Sequence, residues 1–150
     1  MYSDLRRQVL GLTPDQLGPE VADAPILALL METGYPEALA TLVAVADGTT
    51  SLYFSNGGGI IGAGAHDAVA EASRRWLEAA GAFLPRLSST TAPSLPAEGD
   101  TQFVAVTPEG LFSVVAPEEE LGEGRHSLSQ LFHAGQDVIT QIRLVDDNRT

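Results

Sequence analysis

A glycine-rich stretch near the middle of the chain has the residue types of a phosphate-binding loop. Residues 51–67 read SLYFSNGGGIIGAGAHD, and Gly57, Gly59 and Gly62 match the pattern G-x-G-x-x-G. In dinucleotide-binding proteins this pattern joins a strand to a helix whose first amides hold a pyrophosphate. The pattern therefore raises nucleotide or anion binding as a first hypothesis.

The residues around the glycines do not supply the rest of a dinucleotide site. The preceding strand belongs to a hairpin, and the next helix is predicted to begin only near Asp67. Glu78, the acid at the distance expected for ribose binding, falls inside that helix. We therefore expect the glycines at 57–59 to bend the strand, Ile60-Ile61 to resume it, and the later glycines to allow a tight entry into the helix. Close backbone approach by the helix, by a second subunit or by a ligand would explain why so many glycines are present.

Ligand binding by this stretch stays open as an alternative. Successive backbone amides in a glycine-rich turn can form a concave nest for an anion. The stretch would then belong to a small-molecule or anion-binding protein, or to an enzyme of unrecognised type, with nearby polar side chains orienting the ligand. The candidate ligand-binding residues are Tyr53, Gly57, Gly58, Gly59, Gly62, His66 and Arg125.

No other pattern in the sequence indicates catalysis, and we expect no catalytic residues, cofactor or metal. The chain has no cysteine, which excludes disulfides, thiolate zinc sites, iron–sulfur clusters and a cysteine nucleophile. Its three histidines are not spaced as metal ligands. The glutamates at 118–120 and Glu123 lack the EF-hand pattern and are predicted to lie in a solvated turn. No G-x-S-x-G nucleophile motif is present.

The charge balance argues against nucleic acid and anionic membranes as partners. Twenty acidic residues against eight basic ones give a formal net charge of −12 at pH 7. A surface of that sign repels phosphate backbones and acidic lipid headgroups. The amino-terminal residues lack the apolar core of a signal peptide, and no apolar run reaches the roughly 18 residues that span a bilayer. We therefore expect a cytoplasmic protein.

The predicted elements make one domain over residues 1–150, with an N-terminal helical extension at 1–20 and an internal loop at 86–100. Apolar periodicity, capping residues and prolines mark the helices. The predicted helices cover residues 3–10, 14–17, 25–33, 67–84 and a last segment opened by a capping box of Ser127 and Gln130.

Two hairpins are predicted between these helices. The runs 41–46 and 49–55 flank Asp47-Gly48, a dipeptide typical of a two-residue type I′ turn, and 102–107 and 111–116 flank Pro-Glu-Gly. The element order is therefore α-β-β-α-β-β-α. It predicts an α+β fold in which helices pack on an antiparallel sheet of two β-hairpins.

The segment LVAVADGTTSLYFSNGG resembles the first hairpin of roadblock/LC7 domains, within the profilin-like and longin-like group. Residues 68–83 look like the alanine-rich helix that follows it, and the resemblance covers about residues 25–116. It implies a non-enzymatic homodimer that pairs through a helix and a sheet edge, often as a platform that regulates small GTPases. We accordingly expect a non-catalytic interaction module that binds itself and a further protein.

Overall fold

The computed structural model describes residues 2–19, 21, 23–60 and 62–147. Four α-helices and seven β-strands make up its regular structure, joined by short loops and 3-10 turns. The helices are α1 (Tyr2–Leu10), α2 (Asp67–Phe83), α3 (Glu118–Gly122) and α4 (Ser129–Asp147). The strands are β1 (Ala28–Gly34), β2 (Leu39–Val45), β3 (Thr50–Phe54), β4 (Gly59–Ile60), β5 (Ser88–Thr90), β6 (Asp100–Thr107) and β7 (Gly110–Pro117).

The seven strands form one sheet in the order β4-β3-β2-β1-β6-β7-β5. Every pairing between neighbouring strands is antiparallel. Helices pack on the sheet, which confirms the predicted α+β class. The long β1 lies at the centre, between β2 and β6, and joins the two halves of the sheet.

The prediction of a helix at 25–33 is wrong, because this segment forms the central strand β1. All seven of its residues are buried, and it is paired along both sides. A strand covered on both faces carries apolar residues without alternation, and such a run has the same composition as a buried helix. Pro25 and Gly34 are compatible with the ends of either element.

The first face of the sheet is covered by α2 and α4. Trp76 of α2 is fully buried there, and its Nε1–H donates to the Leu131 carbonyl of α4 at 3.1 Å. Gly135 of α4 lies directly against Met31 and Trp76. The helices predicted from periodicity at 67–84 and after Ser127 are confirmed in position. Their apolar stripes form the larger core.

The second face is covered by α1 and the chain that follows it. The apolar residues Leu5, Val9 and Leu10 pack against a smaller cluster of sheet residues. This cluster contains Leu27, Ala28, Leu30, Val43, Val45, Tyr53, Val104 and Val106. The helix predicted at 3–10 is confirmed, and residues 14–16 form a 3-10 turn in which the Thr13 N–H donates to Gln16 Oε1. The N-terminal segment thus completes the core.

The first hairpin has the predicted strands but a different turn. The Val45 N–H donates to the Thr49 carbonyl at 2.8 Å, and the Gly48 N–H donates to the Val45 carbonyl at 2.9 Å. The loop therefore has three residues, and only its last, Gly48, has a positive φ. A type I turn followed by a left-handed glycine also matches the twist of paired strands. The second hairpin, β6 and β7, has the predicted strands.

Three further segments differ in detail from the sequence prediction. The loop predicted at 86–100 contains the edge strand β5, and the solvated turn predicted at 117–125 contains α3, whose Leu121 is fully buried. At the start of α4 the Ser129 hydroxyl, rather than Ser127, accepts a hydrogen bond from the His126 N–H. No helix among the described residues has the length and apolar character needed to cross a membrane.

Candidate functional site

The glycine-rich stretch reverses the chain instead of bending one strand. The Gly57 N–H donates to the Phe54 carbonyl at 3.1 Å, and the Phe54 N–H donates to the Gly58 carbonyl at 2.8 Å. Gly57 has a φ of 104°, which L side chains rarely adopt. The chain then returns as β4, which pairs antiparallel with β3. The expectation that Ile60-Ile61 resumes the same strand is therefore wrong for Ile60, whereas Ile61 lies outside the described residues. These glycines form a second tight turn.

The remaining glycines bring backbone segments together. A Cβ at Gly64 would lie 2.0 Å from the Gly48 carbonyl oxygen, so the 3-10 turn Ala63–Ala65 sits directly on the first hairpin turn. Gly59 approaches Tyr53 in the same way, and the Gly62 N–H donates to Ser51 Oγ at 3.4 Å. A Cβ at Gly58 would make only ordinary van der Waals contact, with a Phe54 ring atom at 3.7 Å. The close approach expected from the sequence is made by the chain itself.

The other candidate ligand-binding residues lie in three different environments. Tyr53 is buried on the sheet face that α1 covers, although its backbone adjoins Gly59. His66 precedes α2, and its carbonyl accepts from the Ala70 N–H. Arg125 lies beyond α3 and pairs with Glu123, whose hydrogen bond and negative charge raise the pKa of Arg125 above its ordinary value.

The structure therefore separates the seven candidates. Gly57, Gly58, Gly59 and Gly62 lie together at the β3–β4 turn and after it. His66 is at the amino-terminal end of α2, whereas the residues flanking Arg125 line a groove at the carboxyl-terminal end of that helix. The 17 residues of α2 correspond to about 25 Å. In the part of the chain that is described, no three His, Asp or Glu side chains cluster as metal ligands.

A second candidate site lies at the opposite edge of the sheet, on β7. The Glu118 N–H donates to the Gly99 carbonyl at 2.9 Å, in register with the pairing of β6 and β7. Hydrogen-bonding direction alternates along an antiparallel strand, so Leu111, Ser113 and Val115 direct their backbone groups away from β6. β5 pairs with residues 111–113 of β7, and its first residue, Ser88, lies opposite Ser113. Among described residues, no strand pairs with the outer side of 114–117.

Apolar side chains are exposed beside this open edge. Val115 is 50% exposed and Leu95 is 48% exposed. Val115 faces Gln102 across the ladder, and the Gln102 amide donates at 2.6 Å to the carbonyl of Ser94, the residue before Leu95. Both exposed side chains therefore belong to the same end of the second sheet face. We call Leu95, Val115 and the outer edge of residues 114–117 the β7 edge patch.

A groove of about 450 Å³ continues the patch toward α1, and Leu95, Leu10 and Leu111 line it. A buried charged cluster fixes its walls. Glu32 is completely buried and accepts from Arg6 Nε at 2.7 Å and from Arg6 Nη2 at 3.0 Å. Arg6 Nη2 also donates to the Pro93 carbonyl at 3.0 Å. The cluster thereby ties α1 and the β5–β6 loop to the centre of the sheet.

The β7 edge patch could not be predicted from the sequence because its parts are distant in the chain. The uncharged run of β7 is visible in the sequence, but Leu95 falls in the predicted loop at 86–100 and Glu32 in the predicted helix at 25–33. A single buried acid in an apolar run is a signal that could have indicated a paired cation.

Comparison with protein-family models, curated proteins and solved structures gives no match for this chain.

Proposed function

We propose that this chain is a non-catalytic protein-interaction module that forms a homodimer, a regulatory platform of the kind that roadblock domains provide. The observation that carries the proposal is the β7 edge patch. Open edges of sheets tend to pair with other chains, and proteins usually protect them with charges or cover. Here the strand from Gly110 to Pro117 contains no charged residue, and Val115 is half exposed at its unpaired end.

Two copies can pair through this edge about a two-fold axis. In such an isologous contact the same patch serves both partners, and Val115 of one copy faces Val115 of the other. The outward backbone groups of Val115 supply the edge hydrogen bonds, and Leu95 adds apolar burial. Pro117 has no N–H, which limits the pairing to the few residues before it.

The charge distribution favours this surface for self-association. With a formal net charge of −12 per chain, two copies repel each other at most orientations. An uncharged strand brings the copies together where that repulsion is smallest. A carboxylate at this position would add like-charge repulsion and desolvation cost on top of it.

The buried acid of the sheet supports a structural role better than a catalytic one. Glu32 is held by Arg6 and also accepts from Gln102 Nε2 at 3.2 Å. This carboxylate is fully buried, and its oxygens accept from side chains of the protein itself. The glycine-rich stretch is not proposed as a ligand site, because turn geometry and backbone packing account for its glycines at 57, 59 and 64.

Light scattering coupled to size exclusion tests the proposal. The unmodified chain is expected to elute as a dimer at micromolar concentration, and Val115→Lys as a monomer, because lysine on an open edge opposes pairing. Leu144→Lys is the matched control, since Leu144 is 52% exposed on α4 and lies outside the patch. A monomeric unmodified chain, or equal dissociation by both variants, contradicts the proposal.

A further inference from the structure

A groove of about 550 Å³ lies between the carboxyl-terminal end of α2 and the start of α4, apart from both sites described above. Its walls combine two elements that are distant in sequence. The polar and aromatic residues that matter here are Phe83, Arg86, His126, Ser127, Gln130 and His133.

The lining of this groove has the opposite charge character to the rest of the protein. The chain contains 20 acidic residues and 3 histidines. Among the described residues, no aspartate or glutamate lines the groove, whereas Arg86, His126 and His133 all do. Two of the three histidines are therefore concentrated in one concave site from which acids are excluded.

Arg86 differs from most arginines of the chain in its partners. Arg74, Arg75 and Arg125 each pair with a glutamate on the surface. Within the described residues, no carboxylate lies within 4.0 Å of the Arg86 guanidinium. Its recorded neighbour is the Phe83 ring, whose centroid is 5.8 Å from the guanidinium carbon. The ring supports the guanidinium on the groove wall and leaves its donors available.

His126 adds a second donor of fixed tautomer. The Leu128 backbone N–H donates to His126 Nδ1 at 3.0 Å. Because a backbone N–H can only donate, Nδ1 must be the acceptor, and neutral His126 carries its proton on Nε2. The groove thus has an arginine fork, an imidazole N–H, the Ser127 hydroxyl and the Gln130 amide. Glu123, the nearest acid in sequence, is already paired with Arg125.

We propose that this groove binds a small phosphate monoester with an apolar substituent. The unprotonated oxygens of a phosphate monoester accept hydrogen bonds, and a planar guanidinium binds two of them at once. The Phe83 ring and Ala82 give the substituent an apolar wall beside those donors. The site is independent of the β7 edge patch, so its failure leaves the proposed dimer untouched, and the reverse also holds.

Titration followed by ¹H–¹⁵N and histidine side-chain NMR tests the proposal. Phenyl phosphate and inorganic phosphate are the probes, with sodium chloride at matched ionic strength as the blank. Saturable shifts are expected at His126, Ser127 and the Arg86 Nε–H, with phenyl phosphate binding more tightly than inorganic phosphate. Benzoate as a third probe is expected to bind more weakly, because it offers two oxygens in place of three.

Arg86→Gln is expected to weaken phenyl phosphate binding about tenfold or more, because it removes the charged fork. Arg74→Gln is the matched control, since it removes the same charge from the exposed face of α2 and should leave the affinity unchanged. His126→Gln, a second variant, is expected to weaken binding without affecting folding of the apolar core. Linear shifts that do not saturate, or equal losses in Arg86→Gln and Arg74→Gln, overturn the proposal.

Discussion

At the scale of single residues, the glycines of one stretch have different structural roles. Gly57 closes a turn with a positive φ, whereas Gly64 lets one backbone lie on another. Gly58, between them in sequence, does neither. The sequence indicated that close approach was needed, but not that the approaching group is the first hairpin turn. That contact depends on where the chain goes after β4, which no local pattern encodes.

Gly64→Ala is expected to lower the free energy of unfolding by about 1–3 kcal/mol, the usual cost of overpacking. The added Cβ would meet the Gly48 carbonyl oxygen at 2.0 Å, and that backbone atom cannot move without disturbing the turn. Urea denaturation measures the change.

Gly58→Ala is the matched control for this substitution. Its nearest neighbour would be a Phe54 ring atom at 3.7 Å, which is ordinary van der Waals contact. We expect its free energy of unfolding to lie within about 0.5 kcal/mol of that of the unmodified chain. If the two alanine variants are equally stable, the close packing of the 3-10 turn on the first hairpin is not significant.

At the scale of elements, the sequence predicted the elements that have one buried and one exposed face. α2 and α4 expose one face, so their periodicity located them, and both hairpins were recognised from their turn residues. β1 is buried on both faces, and its uniform apolar run carries no periodicity to separate strand from helix. Similarly, β4 and β5 have two and three residues, too few for a pattern to emerge.

The attachment of α1 depends on the Arg6–Glu32 pair as well as on apolar packing. Arg6→Met keeps most of the side-chain volume but leaves the buried carboxylate without its cation. Removing one partner of a buried pair costs about 3–5 kcal/mol, so we expect a loss of about 3 kcal/mol in the free energy of unfolding. Chemical denaturation and amide hydrogen exchange in α1 measure the effect.

Arg7→Met provides the comparison on the same helix. The Arg7 side chain is 79% exposed, and its guanidinium is 3.5 Å from Asp4, which is also exposed. Exposed pairs contribute about 0–1 kcal/mol, so a small change is expected. Equal effects of Arg6→Met and Arg7→Met would show that the buried pair does not hold α1 to the sheet.

At the scale of the whole molecule, the two outer edges of the sheet differ. The glycine-rich stretch forms the short β4 at one end, whereas at the other β5 leaves part of β7 unpaired. The fold class could be predicted from the sequence, but the β7 edge patch could not. It depends on how far β5 extends along β7 and on the path of residues 91–97, both of which are set by tertiary contacts such as the Ser94–Gln102 hydrogen bond.

Disulfide trapping can show whether two copies meet at the β7 edge patch. The chain has no cysteine, so Val115→Cys introduces a single thiol into the proposed interface. Paired strands bring opposite Cα atoms to about 5.5 Å, within the range of a disulfide. Under mild oxidation, Val115→Cys should form a covalent dimer far faster than the control Leu144→Cys. Equal or slower crosslinking by Val115→Cys would contradict the account.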